Sequence, residues 1–229
     1  MGRPVLGNVV DMQCDVPTSV GPGRLTVSAA PEPTAVLWLG HGAGGGIDAP
    51  DLAVLASRLP DRGITVIRYE QPWRVAGKRV AARPATLDVA WLETAPTVRE
   101  LADGLPLVVG GRSAGARVAC RTAASTGAAG VVCLAFPLHP PGRQDASRLD
   151  ELREPDVPVL VLQGGRDPFG GAEQLVAELG TQTGVRVVEV PGADHGMKVA
   201  KASAFGPADV RDLLTASVEG FVREVSSRP

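Results

Sequence analysis

What most restricts this chain is a series of short apolar runs, each followed by a glycine- or proline-rich loop and, in most cases, by a stripe of apolar residues at helical spacing. The runs are Val36–Leu39 (VLWL), Ile64–Tyr69 (ITVIRY), Leu107–Val109 (LVV), Val131–Ala135 (VVCLA), Val159–Leu162 (VLVL) and Val185–Val190 (VRVVEV). Most are apolar at consecutive positions, as strands covered on both faces must be. Helical stripes lie between them: Leu52, Leu55, Ala56 and Leu59, with Asp48 as a candidate cap and Gly63 as the stop; Leu87, Trp91, Val98 and Leu101; Val118, Ala119 and Thr122 before Gly127; Leu175, Val176 and Leu179. The clearest is Val210, Leu213, Leu214, Val218, Phe221 and Val225, which should cover one face of the sheet. Strand and helix in this alternation predict parallel βαβ units with helices on both faces. The first thirty-odd residues read differently: Gly7–Gln13 and Arg24–Ser28 flank VPTSVGPG, which predicts an antiparallel hairpin at one sheet edge.

The 229 residues suffice for one large domain, predicted to span 1–229, with no linker or internal repeat. A net charge of -2 and the absence of any Lys/Arg run argue against nucleic acid as a partner. No apolar stretch approaches a membrane span and the start carries no signal sequence, so a cytoplasmic protein without membrane contact is expected. Cys14, Cys120 and Cys133, an odd number without a close pair, suggest reduced packing residues rather than a disulfide framework or a zinc cage. Leu6 stands where a myristoylation signal needs Ser or Thr.

Open parallel sheets bind ligands beyond the carboxyl ends of their strands. The segments following the runs are GHGAGGG, EQPW, GGRSAG, FPLHPPGR, QGGRDPFG and PGADHG, so His41, His139 and His195 all fall at one sheet edge. Gly111-Arg112-Ser113-Ala114-Gly115 matches G-x-S-x-G at the point where a strand gives way to a helix. A serine presented on so tight a turn needs small neighbours for the turn to close, which the glycines and Ala116 provide. The bland alternative is a glycine turn with an N-capping serine.

A serine hydroxyl becomes a nucleophile when a histidine takes its proton and a carboxylate holds that histidine. His195 is the one histidine after the last run, and Asp167 follows VLVL in GRDPFG; Asp194 is a second carboxylate, poorly placed by its adjacency to His195. Ser113, Asp167 and His195 thus occur in the order Ser, Asp, His at successive strand ends. For an oxyanion hole, His41-Gly42-Ala43-Gly44-Gly45-Gly46 offers the N–H of Ala43, and the residue after the serine offers that of Ala114. The glycine loop lacks the G-K-[ST] of a phosphate-binding loop.

These segments, together with RYEQPWRVAGKR, GGRSAGARVACRTA, LAFPLHPPGR and GADHGMK, resemble the α/β-hydrolase superfamily over nearly the whole chain. More narrowly they are similar to small, lidless, dienelactone-hydrolase-like proteins, a group akin to animal testis-expressed hydrolase-like proteins and to a subunit of a histone acetyltransferase complex. The resemblance implies an α/β-hydrolase fold: about eight mostly parallel strands, the second antiparallel, helices on both faces, no large cap domain, and a triad at Ser113, Asp167 and His195. Serine replaces the cysteine nucleophile of true dienelactone hydrolases, so their substrate does not transfer.

The expectation is a cofactor-free, metal-free serine hydrolase of small carboxylic esters, with a homodimer as the default assembly. The alternatives are a thioesterase, amidase or peptidase with the same triad, and a binding or scaffold module that retains the fold. Trp73, Phe136, His139, Phe169 and Met197, in loops at the same strand ends, are candidate pocket walls, and Arg112 and Arg143 are candidate contacts for an anionic substrate.

Overall fold

The computed structural model describes residues 12–143, 145–181 and 184–228. Eight strands form one sheet: β1 (Met12–Val16), β2 (Gly23–Ser28), β3 (Ala35–Gly40), β4 (Ile64–Glu70), β5 (Leu107–Arg112), β6 (Gly130–Leu134), β7 (Val159–Gly164) and β8 (Val185–Val190). Their spatial order is β1-β2-β4-β3-β5-β6-β7-β8; β2 runs antiparallel to both neighbours, and every other pairing is parallel. The chain swaps β3 and β4 and then proceeds outward, so β3 and β5 sit side by side near the centre. Ligand sites in such sheets form at a change of direction of this kind.

The helices are α1 (Pro50–Arg58), α2 (Pro72–Val75), α3 (Pro84–Ala102), α4 (Ala114–Thr126), α5 (Leu149–Arg153), α6 (Ala172–Leu179) and α7 (Pro207–Ser226). Because strand side chains alternate, the consecutive apolar residues of β3 serve two cores. Leu37 and Leu39 join Leu52 and Leu55 of α1 and Val218 and Phe221 of α7 on one face. Val36 and Trp38 join Trp91 of α3 and Val118 of α4 on the other. There the Trp38 and Trp91 rings lie parallel, with centroids 3.5 Å apart. Burying two such rings supplies several kcal/mol of apolar transfer energy, about 1.5–3 for each large side chain.

Three details depart from the expectations. The first strand of the hairpin runs Met12–Val16, where Cys14 and Val16 face inward in alternation and Val16 pairs with Gly23. Residues 7–11 of the expected strand lie outside the described residues. Helix α1 starts with Pro50 behind Ala49, because proline's fixed φ suits the first helical turn; Asp48 lies one residue too early to cap it. Val176 of α6 faces solvent, since Leu175 and Leu179 already fill the contact with the sheet.

Between β6 and β7, where a cap domain would be inserted, the described residues form a loop and the five-residue α5. Among the described residues no helix is long and apolar enough to cross a membrane.

Candidate active site

Ser113 sits between β5 and α4 with φ 53° and ψ -110°, a backbone conformation that L-residues rarely adopt and that costs of order 1–3 kcal/mol. Its surroundings enforce that conformation. A methyl group built on Gly111 would lie 2.5 Å from the Gly40 carbonyl oxygen, and one on Gly115 would strike the same oxygen. The two glycines thus let β3 pass directly beneath the turn. The Ser113 N–H donates to the Leu134 carbonyl at 2.9 Å, fixing the turn to the end of β6 as well.

The structure brings the three sequence-predicted residues together. His195 Nδ1 lies 2.8 Å from Asp167 Oδ2, and His195 Nε2 lies 3.0 Å from Ser113 Oγ. A carboxylate only accepts, so the shared proton belongs on Nδ1 and leaves Nε2 free to accept the serine proton. The Asp167 carboxylate is fully buried. Its Oδ1 accepts the Phe169 N–H at 2.9 Å and its Oδ2 also accepts from Gln163 Nε2 at 3.2 Å. The Gln163 amide further donates to the carbonyls of Phe136 (3.0 Å) and Gly170 (2.6 Å). Gln163 is an anchor of the site that sequence reasoning missed; its signal was a polar residue closing the strand VLVLQG.

Asp194 does not reach the imidazole. Its Oδ1 accepts the N–H groups of Gly196 (2.8 Å) and Lys198 (2.9 Å), shaping the turn that carries His195. Arg112 steadies that turn from the other side, its Nη2 donating to the His195 carbonyl at 2.5 Å and its Nε lying 3.1 Å from Asp51 Oδ2. The Asp51 side chain is fully buried at the start of α1; burial pushes its pKa up, against the pull of Arg112. Arg112 borders the cleft, as expected of a pocket residue, with part of its guanidinium engaged by the Asp51 carboxylate and the His195 carbonyl.

Among the described residues the backbone N–H groups of Ala43 and Ala114 have no partner, and both residues border the cleft over Ser113. His41 holds the glycine loop from behind: its Nε2 accepts the Gln71 N–H at 3.1 Å, so its Nδ1–H donates to the Gly42 carbonyl at 2.8 Å. Burial, then the charge of Arg74, lowers the His41 pKa despite the Gly42 bond, keeping the ring neutral.

The cleft has a volume of about 570 Å³ and is bordered by the glycine loop, the serine turn, Pro137, Pro141 and Phe169. The Phe169 ring meets His195 edge-on, with centroids 4.6 Å apart. The other expected wall residues are elsewhere. Phe136 and Met197 are buried in the two cores. His139 is buried and bonded to the Ala146 carbonyl and to Gln174. Trp73 packs on His41 behind the glycine loop, beside a much smaller cavity. Each follows a strand, but a side chain just past a strand end still turns toward whichever core has room. Arg143 is exposed, 3.9 Å from Asp145. Sequence reasoning missed Arg117, Arg148 and Lys198, all of which border the cleft. Among the described residues no three His, Cys, Asp or Glu side chains gather as a metal-ligating group.

Comparison with solved structures finds the same architecture. XC6422 from Xanthomonas campestris, described as an a/b serine hydrolase without lid, matches with a TM-score of 0.72 and 21% identity over 99% of this chain and 100% of that one. An alpha-beta serine hydrolase homologue from Coxiella burnetii gives 0.72 and 17% over 94% and 100%. Est1E from Butyrivibrio proteoclasticus, in a structure with ferulic acid bound, gives 0.74 and 15% over 94% and 100%. At the level of sequence, the family model described as an alpha/beta hydrolase domain matches residues 33–223, from before β3 into α7. With that match covering most of the chain, and with this sheet and strand order, the protein belongs to the alpha/beta hydrolase family.

Proposed function

We propose that this protein is a serine hydrolase that cleaves small carboxylic esters through an acyl-enzyme intermediate. The carrying observation is the unbroken relay from Ser113 Oγ through the His195 ring to the buried Asp167 carboxylate, at 3.0 and 2.8 Å. Ser113 Oγ attacks the ester carbonyl carbon while its proton passes to His195 Nε2, and Asp167 stabilises the imidazolium that results. The carbonyl oxygen becomes an oxyanion held by the N–H groups of Ala43 and Ala114, of which one well-placed donor contributes about 3 kcal/mol. On collapse the carbon–oxygen bond to the alcohol breaks, and the alcohol leaves with the proton from Nε2. Water then gives its proton to Nε2 and attacks the acyl carbon; the carboxylic acid departs and Oγ recovers its proton.

The small volume of the cleft and the absence of a cap suit a short, directly accessible substrate. The ferulic acid held by Est1E gives the reading further support, because a carboxylic acid is what such a reaction releases. The test is hydrolysis of a panel of 4-nitrophenyl esters by the wild type and by Ser113→Ala, with labelling by a fluorophosphonate probe alongside. Turnover and labelling that vanish in Ser113→Ala are expected; equal turnover by both proteins, or none by either together with no labelling, overturns the proposal.

A further inference from the structure

Among the described residues the cleft over Ser113 is lined by four cationic side chains, Arg112, Arg117, Arg148 and Lys198, and by no Asp or Glu. In a chain of net charge -2 this is a local concentration of positive charge. Two of the four are neutralised from behind. Arg112 faces the buried Asp51, and Arg117 makes a two-pronged bond to Glu151 at 2.7 and 2.6 Å. Glu151 also accepts from Arg121, which Asp88 holds by a second two-pronged bond.

Among the described residues neither Arg148 nor Lys198 is hydrogen-bonded to a carboxylate, although Glu151 lies close enough to Arg148 to act on its charge. The guanidinium of Arg148 is held by Nη1 alone, which reaches the carbonyls of Pro137 (3.3 Å) and His139 (3.4 Å). Its backbone N–H is fixed to the Leu138 carbonyl at 2.8 Å, so the side chain starts from a set position ahead of α5. Among the described residues its Nε and Nη2 have no partner, and that edge of a guanidinium matches the two oxygens of a carboxylate. Burial lowers the Arg148 pKa, as do the like charges of Arg117 and Arg121, against the pull of Glu151, which is itself already bonded to those two arginines. The Lys198 side chain likewise has no hydrogen bond or ion pair among the described residues; only its backbone is engaged, by Asp194. The rest of the lining of this cleft includes the apolar residues Pro137, Pro141, Phe169, Ala49 and Pro50.

We propose that the cleft selects esters carrying a carboxylate remote from the scissile bond, taken by the Nε/Nη2 edge of Arg148 with Lys198 as a second cation. The carboxylate is a spectator: no bond to it forms or breaks, and it positions the ester carbonyl over Ser113 through a short apolar spacer. The inference rests on the reading of Ser113 as the acyl-accepting nucleophile.

The test compares kcat/KM for charged and neutral esters of matched size. Mono-4-nitrophenyl adipate and suberate, set against the hexanoate and octanoate, place the charge on the acyl side; 4-acetoxybenzoate against its methyl ester places it on the alcohol side. At least one charged ester should be preferred by about tenfold or more, the factor that a charge-assisted hydrogen bond to a guanidinium supplies. That ratio should collapse in Arg148→Gln, recover in part in Arg148→Lys, and fall again in Lys198→Glu, whose exposed position avoids any folding penalty. It should also shrink with added salt. Ser113-dependent turnover with every ratio at or below one, a preference that survives Arg148→Gln and Lys198→Glu, or labelling of Ser113 without turnover of any charged ester overturns the inference alone. Absence of both labelling and turnover overturns the nucleophile reading, and the inference falls with it.

Discussion

Replacing Asp167 with asparagine changes one atom in a buried position and should disable the site without unfolding the protein. The new amide has two orientations. With its oxygen kept on the Phe169 N–H, where the carboxylate now accepts at 2.9 Å, its NH2 faces His195 Nδ1 and Gln163 Nε2. The NH2 then donates to Nδ1, which must lose its proton, and the ring hydrogen moves to Nε2, aimed at Ser113 Oγ. Gln163 loses little, because its two amide hydrogens still have the carbonyls of Phe136 and Gly170. The opposite orientation preserves the tautomer but sets the NH2 against the Phe169 N–H, leaving buried donors unmet at about 1–3 kcal/mol. The first orientation therefore wins, and His195 is left unable to accept the serine proton. In an unrelated triad the same change lowers kcat by about 10,000-fold, which corresponds to roughly 5 kcal/mol of transition-state stabilisation. The assay is steady-state hydrolysis of a 4-nitrophenyl ester, with thermal denaturation to show that the fold is retained. A folded Asp167→Asn variant within about tenfold of the wild-type kcat would refute the tautomer reasoning, since no other described group holds Nδ1.

Two further outcomes concern the scaffold. Gly115→Ala should destabilise the protein by about 3 kcal/mol, because the added methyl strikes the carbonyls of Gly40 and His41; at roughly 2–4 °C per kcal/mol this is a fall of about 6–12 °C in Tm, whereas Gly44→Ala, with open space around it, should leave Tm in place. His41 gives a pH dependence: its pKa is lowered by folding, so the unfolded chain binds the extra proton and stability falls as pH drops below the ordinary histidine value of about 6.5. Between about pH 6.5 and 5, above the carboxylate range, the slope of Tm against pH should be shallower in His41→Gln; an unchanged slope would show that another group carries the dependence.

The triad candidates were legible because their positions follow from chain order. Once consecutive apolar residues imply a sheet covered on both faces, every loop after a strand is assigned to one edge, and Ser113, Asp167 and His195 are collected there without any knowledge of contacts. The supporting residues carry no comparable signal. Arg148 stands in a stretch with neither strand nor helix periodicity, and its role depends on the course of the loop from Pro137 to Arg148, which local preference does not specify. Trp73, Phe136, His139 and Met197 were assigned to the cleft by the same edge rule that found the triad. The rule locates a backbone, however, and not the direction of a side chain, and in each case a core had room for the group. The end of β1 was placed too early for a related reason: at a sheet edge only alternate residues face inward, so continuous apolar character is no guide to where the strand ends.

The contacts of Arg112 explain how a site assembled from loops can be braced without a large cap domain to close over it. The residue adjoins the strained serine turn, so its backbone moves with the nucleophile. Its guanidinium reaches the His195 carbonyl at 2.5 Å and the Asp51 carboxylate at 3.1 Å, joining the base-bearing turn and the start of α1 to that same backbone. Asp167 and Gln163 tie the opposite side of the imidazole to the end of β7. His195 is thus held at its backbone by a group rooted in β5 and at its ring by a group that follows β7, and its turn is closed internally by Asp194. A catalytic group held in this way loses little conformational freedom when substrate arrives, which is the condition for electrostatic stabilisation to act at full strength. The same arrangement leaves the solvent side of the cleft open, as the proposed acyl transfer requires for the entry of substrate and water. Under the proposed function, selectivity without closure falls to the walls of the cleft, where Arg148 and Lys198 are the cations proposed to contribute it.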